Sequence, residues 1–156
     1  MMTEFELMAE ALRLAALAGA EGETPVGAVV ADSTGAIIGR GRNARQQGDP
    51  LGHAELFAIA EAARTLGDWR LIGTTLVVTL EPCAMCAGAI VNSRIGRLIF
   101  GAPDPKAGFC GSLGNLVQDP RLNHRVELIG GFEEERARAL LQTFFRDLRQ
   151  RKFGQG

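Results

Sequence analysis

From Thr3 to Gly19, apolar side chains return every three or four positions (Phe5, Met8, Leu12, Ala16), with Glu and Arg between them. That spacing predicts an amphipathic helix. Gly22 and Pro25 end it. Val26–Ala31 is a short apolar run, Asp32–Gly35 is turn-like, and an extended pattern resumes from Ile37 to Arg42, so this segment predicts a β-hairpin. From His53, a stripe of Leu56, Phe57, Ala60, Ala63 and Leu66 predicts a second helix that stops at Gly67. Thr74–Leu80 is β-branched and apolar on both faces, as a buried central strand requires. Pro82 is expected to open a third helix, in the first turn where its missing N–H costs nothing. Ile95–Gly101 reads as a strand, residues 102–124 as a long irregular stretch, and Arg125–Ile129 as a last strand. A final helix from Glu133 should bury Ala137, Leu140, Leu141, Phe144 and Leu148. The order argues for one mixed sheet covered by helices, with the 156 residues forming a single domain.

Composition narrows the setting. The N-terminus lacks the basic start, apolar block and cleavage site of a secretory leader, and no apolar run is long enough to cross a bilayer. Three cysteines, two of them in a C-x-x-C, argue for a metal or redox site in a reducing compartment. A cytoplasmic location without membrane attachment is expected. The net charge of −1 hides an asymmetry. Residues 1–61 hold nine acidic and four basic side chains, whereas residues 62–156 hold nine acidic and thirteen basic. The basic half could bind a polyanion, or be an ordinary charged surface.

The chemistry lies in His53-Ala54-Glu55 and Pro82-Cys83-Ala84-Met85-Cys86. Cys83 and Cys86, three apart on the first turn of a helix, face the same way. The helix N-terminus favours thiolates there. His53 opens another helix, so two helix starts could offer one nitrogen and two sulfurs to a single Zn²⁺. Three ligands leave a position open for water, and Glu55 could take that water's proton. Cys110 or His124 could instead supply a fourth ligand and make the site structural. That reading leaves Glu55 and Pro82 without a role.

H-x-E followed by P-C-x-x-C is the zinc deaminase signature. PVGAVV at Pro25, Asn43, DP–HAE around His53, TLEPCAMCAGAI from Thr79, NSRIGR from Asn92, GAPDPKAG from Gly101, NHRVE from Asn123 and FFR at Phe144 extend the match along nearly the whole chain. The chain resembles the bacterial tRNA-specific adenosine deaminase (TadA) family of the cytidine/deoxycytidylate deaminase superfamily. The resemblance implies a three-layer α/β/α cytidine-deaminase-like fold with a central mixed sheet. It implies one zinc ion per chain on His53, Cys83 and Cys86, Glu55 as the proton carrier, and no organic cofactor. It also implies a homodimer acting on a tRNA anticodon stem-loop, where the first anticodon base, adenosine, becomes inosine. Asn43, Asp104, Asn123 and Phe145 would then line the substrate region. Leu51 and Gly52 depart from the Thr and Ala usual in the family, and the segment between Asn43 and His53 is one residue short.

Weaker signals remain. Phe144 and Phe145 are adjacent, so they cannot both face one core; one could stack on a base. Arg146, Arg149, Arg151 and Lys152 form a basic end suited to phosphate contact or to simple solvation. Trp69, just after a turn, reads as a packing residue.

Overall fold

A computed structural model describes residues 1–154. Helix α1 (Glu4–Ala20) begins with a capping box: Thr3 Oγ1 accepts the Glu6 N–H, and the Glu6 side chain accepts the Thr3 N–H, both at 3.2 Å. Strands β1 (Gly27–Ala31) and β2 (Ile37–Arg42) form the hairpin. Then follow α2 (Ala54–Leu66), β3 (Thr75–Leu80), α3 (Ala84–Asn92), β4 (Arg97–Ala102), β5 (Glu127–Ile129) and α4 (Glu134–Gly154). The irregular stretch after β4 contains one short 3₁₀ turn, Leu116–Gln118.

The sheet order is β2-β1-β3-β4-β5. β1 is antiparallel to β2 and β3, while β3, β4 and β5 run parallel. Side-chain alternation divides the core into two layers. Ala28, Val30, Leu76, Val78, Leu98 and Phe100 meet α2 and α3 on one face. Val29, Ala31, Val77 and Ile99 meet α1 and α4 on the other. Burial on both faces explains why the central strands are continuously apolar. The result is the mixed α/β/α sandwich expected. Among the described residues, no helix is long and apolar enough to cross a membrane.

The helices form where expected but turn different faces to the sheet. On α2 the buried stripe is Ala54, Ala58 and Ala62, whereas Phe57, Ala60 and Leu66 are exposed and Leu56 and Ala63 half-buried. The cause is close approach. A Cβ on Gly39 or Gly41 of β2 would sit 2.2 or 2.1 Å from the backbone oxygens of Ala58 and Ala54. Only alanine fits the facing helix positions, so the larger side chains are moved to its flanks. On α1, Leu7, Met8, Ala11, Leu12, Leu14, Ala15 and Ala18 are buried, while Phe5 and Ala16 are exposed. Phe5 pairs instead with Phe132, ring centroids 4.9 Å apart. On α4, Ala137 is buried against β4; Leu140, Leu141 and Phe144 are half-buried, and Leu148 is exposed. Pro82 does not open α3. It precedes the N-cap, Cys83, and the helix begins at Ala84.

Candidate metal centre and active site

The site forms where α2 and α3 begin. His53 is the N-cap of α2 and Cys83 the N-cap of α3, both in extended backbone. Cys86 lies one turn further along α3, fully buried. His53 Nδ1 is 3.6 Å from Cys83 Sγ and 3.5 Å from Cys86 Sγ. All three donor atoms lie within 4.8 Å of one another. A tetrahedral zinc with ordinary Zn–N and Zn–S bonds sets such a nitrogen and sulfur about 3.6 Å apart. The donor set therefore fits zinc in both chemistry and spacing.

The electrostatics agree. A hydrogen bond from the Cys86 thiol, and a second from His53, hold Cys83 down to about 3, as a thiolate. The hydrogen bond to Cys83, with burial, pushes the Cys86 thiol up. His53 is raised, mainly by its hydrogen bond to Cys83. Few protons are thus shared among three donors at two helix N-termini, and a cation can displace them. Glu55, two residues into α2, is 4% exposed, and burial pushes its carboxyl up to about 7.

Neither alternative fourth ligand joins this group. Among the described residues the cluster comprises His53, Cys83 and Cys86. Cys110 is buried nearby in the core, its thiol pushed up to about 12 by burial. The His124 ring meets the Ile95 carbonyl oxygen at 2.7 Å through Nε2.

The other expected site residues are distributed unevenly. Asn43 Oδ1 accepts the Ala54 N–H at 3.0 Å, directly at the start of α2. Asp104 is half-buried, its carboxylate accepting the Lys106 and Ala107 N–H groups at 3.1 and 3.2 Å. The loop beyond it touches the metal helix, because Cys83 and Gly108 form a β-bridge and the Phe109 N–H donates to the Pro82 carbonyl. Phe145 is 41% exposed and, with Lys106, Gln142, Arg146 and Arg149, lines a cavity of about 580 Å³. Asn123 is exposed before β5, and no hydrogen bond among the described residues joins it to the cluster.

Two buried carboxylates gave no clear signal in the sequence. Glu23 is 1% exposed, and both its oxygens face the Gln46 N–H, at 2.9 and 3.0 Å. Glu81 is 2% exposed; burial opposes its ionisation, but hydrogen bonds from Ser112, Asp104 and Cys110 outweigh that and hold its carboxyl below the usual range. Trp69 is not a packing residue. It is 55% exposed, with the Arg70 and Arg94 guanidinium groups 5.5 and 5.6 Å from its ring.

A layered α/β domain with a His/Cys/Cys site and a buried glutamate beside it has the architecture of a zinc-dependent deaminase. Residues 1–102 match the cytidine and deoxycytidylate deaminase zinc-binding region, and the chain belongs to that family. The tRNA-specific adenosine deaminase of Bacillus subtilis is 49% identical over 153 residues, covering 97% of this chain and 94% of its own. The protein of the same name from Haemophilus influenzae is 46% identical over 153 residues, covering 96% and 88%. Among solved structures, one from a study of A-to-I editing by tRNA:A34 deaminases at the wobble position of transfer RNA superposes with a TM-score of 0.84. It is 40% identical, and the match covers 88% of this chain and all of that one.

Proposed function

We propose that this protein is a tRNA adenosine deaminase that converts the first anticodon adenosine to inosine. The observation that carries the reading is the joint one. A three-donor zinc site with buried Glu55 beside it lies in a chain nearly half identical, over almost its full length, to tRNA-specific adenosine deaminases. His53, Cys83 and Cys86 hold one zinc ion per chain. Bound zinc supplies a water whose pKa is lowered towards about 7.

The chain's own groups perform the rest. Glu55 accepts a proton from the attacking water and delivers it to N1 of adenine as the oxygen adds to C6. Glu55 then takes the second proton from the new C6 hydroxyl and gives it to the amine as the C6–N bond breaks, so adenosine and water give inosine and ammonia. A buried carboxyl beside the zinc ligands suits both transfers. No organic cofactor takes part. Asn43, Asp104, Asn123 and Phe145 contact the nucleotides. Phe145 offers a stacking face, while Lys106, Arg146 and Arg149 surround it with positive charge for phosphates. An anticodon loop suits this site because its bases are largely unpaired and can be extruded at low cost.

Residues 1–156 act as one deaminase domain, in the cytoplasm, as a homodimer. A second copy would cover some of the exposed apolar side chains, among them Ile72 at 74% and Trp69 at 55%.

The deciding experiment compares purified enzyme on an anticodon stem-loop bearing adenosine in the first anticodon position, the same loop with cytidine there, and free nucleosides and bases. Inosine should form in the first, with far weaker product from the others. Faster turnover of the cytidine loop, free cytosine or guanine would overturn the substrate while sparing the metal chemistry.

A further inference from the structure

β3 ends one residue before Glu81, and Cys83 follows two residues later. Glu81 thus stands where the central strand hands the chain to the metal helix. Its side chain reaches residues 104–112. Oε1 accepts the Asp104 N–H at 2.9 Å and the Ser112 hydroxyl at 2.5 Å. Oε2 accepts the Ser112 N–H at 2.9 Å and the Cys110 N–H at 3.1 Å. Four donors converge on one carboxylate that is almost fully buried.

That arrangement demands an ionised carboxylate. Every partner donates, and only a group with two acceptor oxygens satisfies them all. A glutamine of the same size would turn an N–H₂ group against N–H donors. The loop is shaped to the carboxylate as well. A Cβ on Gly108 would lie 2.3 Å from Glu81 Cδ, so only glycine lets the chain pass. Residues 104–112 contain no helix or named strand, and the Glu81 bonds fix the loop at three points along its length.

We propose that Glu81 is a positioning residue: its carboxylate fixes the Asp104–Ser112 loop in register with the metal helix, so that the substrate-facing groups of that loop are set relative to the zinc ligands. The proposal rests on the adenosine deaminase reading for what the loop contacts. Glu81 touches no substrate itself. It acts through Asp104, whose backbone it holds directly, and through Lys106, which the Asp104 turn carries into the basic cavity. The same strand end that delivers Cys83 therefore also sets the loop that lies against it.

The test combines Glu81→Gln with hydrogen exchange, zinc content and a double-mutant cycle against Asp104→Ala. In Glu81→Gln, exchange at residues 104–112 should rise while α3 keeps its protection and the chain keeps one zinc. The value of kcat/KM on the stem-loop should fall by about ten- to hundredfold, the loss typical of a misplaced substrate-positioning group. In the Asp104→Ala background the same substitution should cost less than in the wild type, because the part of its effect that runs through the Asp104 carboxylate is already gone. Ser112→Ala removes one donor of four and should move exchange in the same direction by less, which keeps the test open if Glu81→Gln folds poorly. Equal losses in both backgrounds, loss of zinc, or unchanged loop exchange would overturn the positioning role. Failure of the wild-type enzyme on the stem-loop would overturn the substrate reading instead, and the exchange measurements would still decide whether the clamp exists.

Discussion

Asn43 Oδ1 accepts the backbone N–H of Ala54 at 3.0 Å, so a side chain at the end of the hairpin caps the helix that carries Glu55 and follows His53. Ala54 is the first residue of α2, and its N–H has no partner within the helix. The bond uses one end of the Asn43 amide and leaves the N–H₂ end for another partner. Asn43 therefore holds the start of the helix with one end of its amide, and the proposed function assigns the other end to the nucleotide.

Substitution separates them. Asn43→Ala should lower stability by about 1 kcal/mol, the usual cost of a lost helix-start acceptor, and should impair turnover while zinc stays bound. Asn43→Asp keeps an acceptor, and its negative charge suits a helix N-terminus. It should recover the stability lost in Asn43→Ala but not the turnover. Thermal melts and stem-loop kinetics on both variants read the two effects apart. Full activity in Asn43→Asp would show that the amide N–H₂ is not needed.

Glu55 gives a prediction with a defined sign. Its folded carboxyl is raised to about 7 by burial, above its ordinary value of 4.5. The folded state thus holds the proton more tightly than the unfolded one. Stability linked to this group is fully present below the ordinary carboxyl range and is lost as pH rises towards 7. In metal-free protein, the wild-type chain should lose stability relative to Glu55→Gln as pH rises from about 4 to 8. Urea unfolding of both proteins at the two pH values measures the difference. Glu55→Gln loaded with zinc should keep the metal and lose at least about a hundredfold in turnover. Zinc loss from that variant would make Glu55 a ligand.

The three-donor site can be checked by metal content alone. Cys110→Ala and His124→Ala should each retain one zinc per chain, since neither side chain joins the cluster of His53, Cys83 and Cys86. Cys86→Ala should release it. Because the metal-free donors share protons, loading zinc near neutral pH should release protons to the buffer. Calorimetry in buffers of different ionisation enthalpy would count them. Zinc lost from either of the first two variants would close the open coordination position.

The sequence was most legible where local chemistry decides the outcome. Thr75–Leu80 is a strand because its β-branched, apolar residues suit burial on both faces. His53, Glu55, Cys83 and Cys86 were legible because metal chemistry restricts residue type and spacing. What the sequence concealed depends on distant partners. Leu56 and Phe57 look like better core residues than Ala54 or Ala58, and only the close approach of Gly39 and Gly41 reverses that order. Glu81 sits inside a motif that draws attention to Pro82 and Cys83. Its importance comes from residues 104–112, which the chain returns to it only after β4. The one available signal was a carboxylate placed straight after a buried, β-branched strand.

The C-terminal helix offers a quantitative prediction about RNA. Ala137 packs on the sheet, but the helix is exposed over residues 145–152, where it presents Arg146, Arg149, Arg151 and Lys152. Arg146 and Arg149 border one cavity with Lys106 and the exposed ring of Phe145. Each cation that ceases to neutralise a phosphate of a single-stranded loop should flatten the log–log salt dependence of binding by about 0.7. Truncation after Arg146 removes Arg149, Arg151 and Lys152 but leaves Phe145 and the metal site intact. Binding should therefore weaken at low salt and the slope fall by about 0.7 for every phosphate no longer neutralised, with the zinc content unchanged. Phe145→Ala should behave differently: affinity falls at every salt concentration while the slope holds, because stacking releases no counterions. Fluorescence anisotropy with a labelled stem-loop across a salt series distinguishes the two. A truncated chain with the full slope would mean that the phosphates are held elsewhere on the basic half and that this helix end is merely solvated.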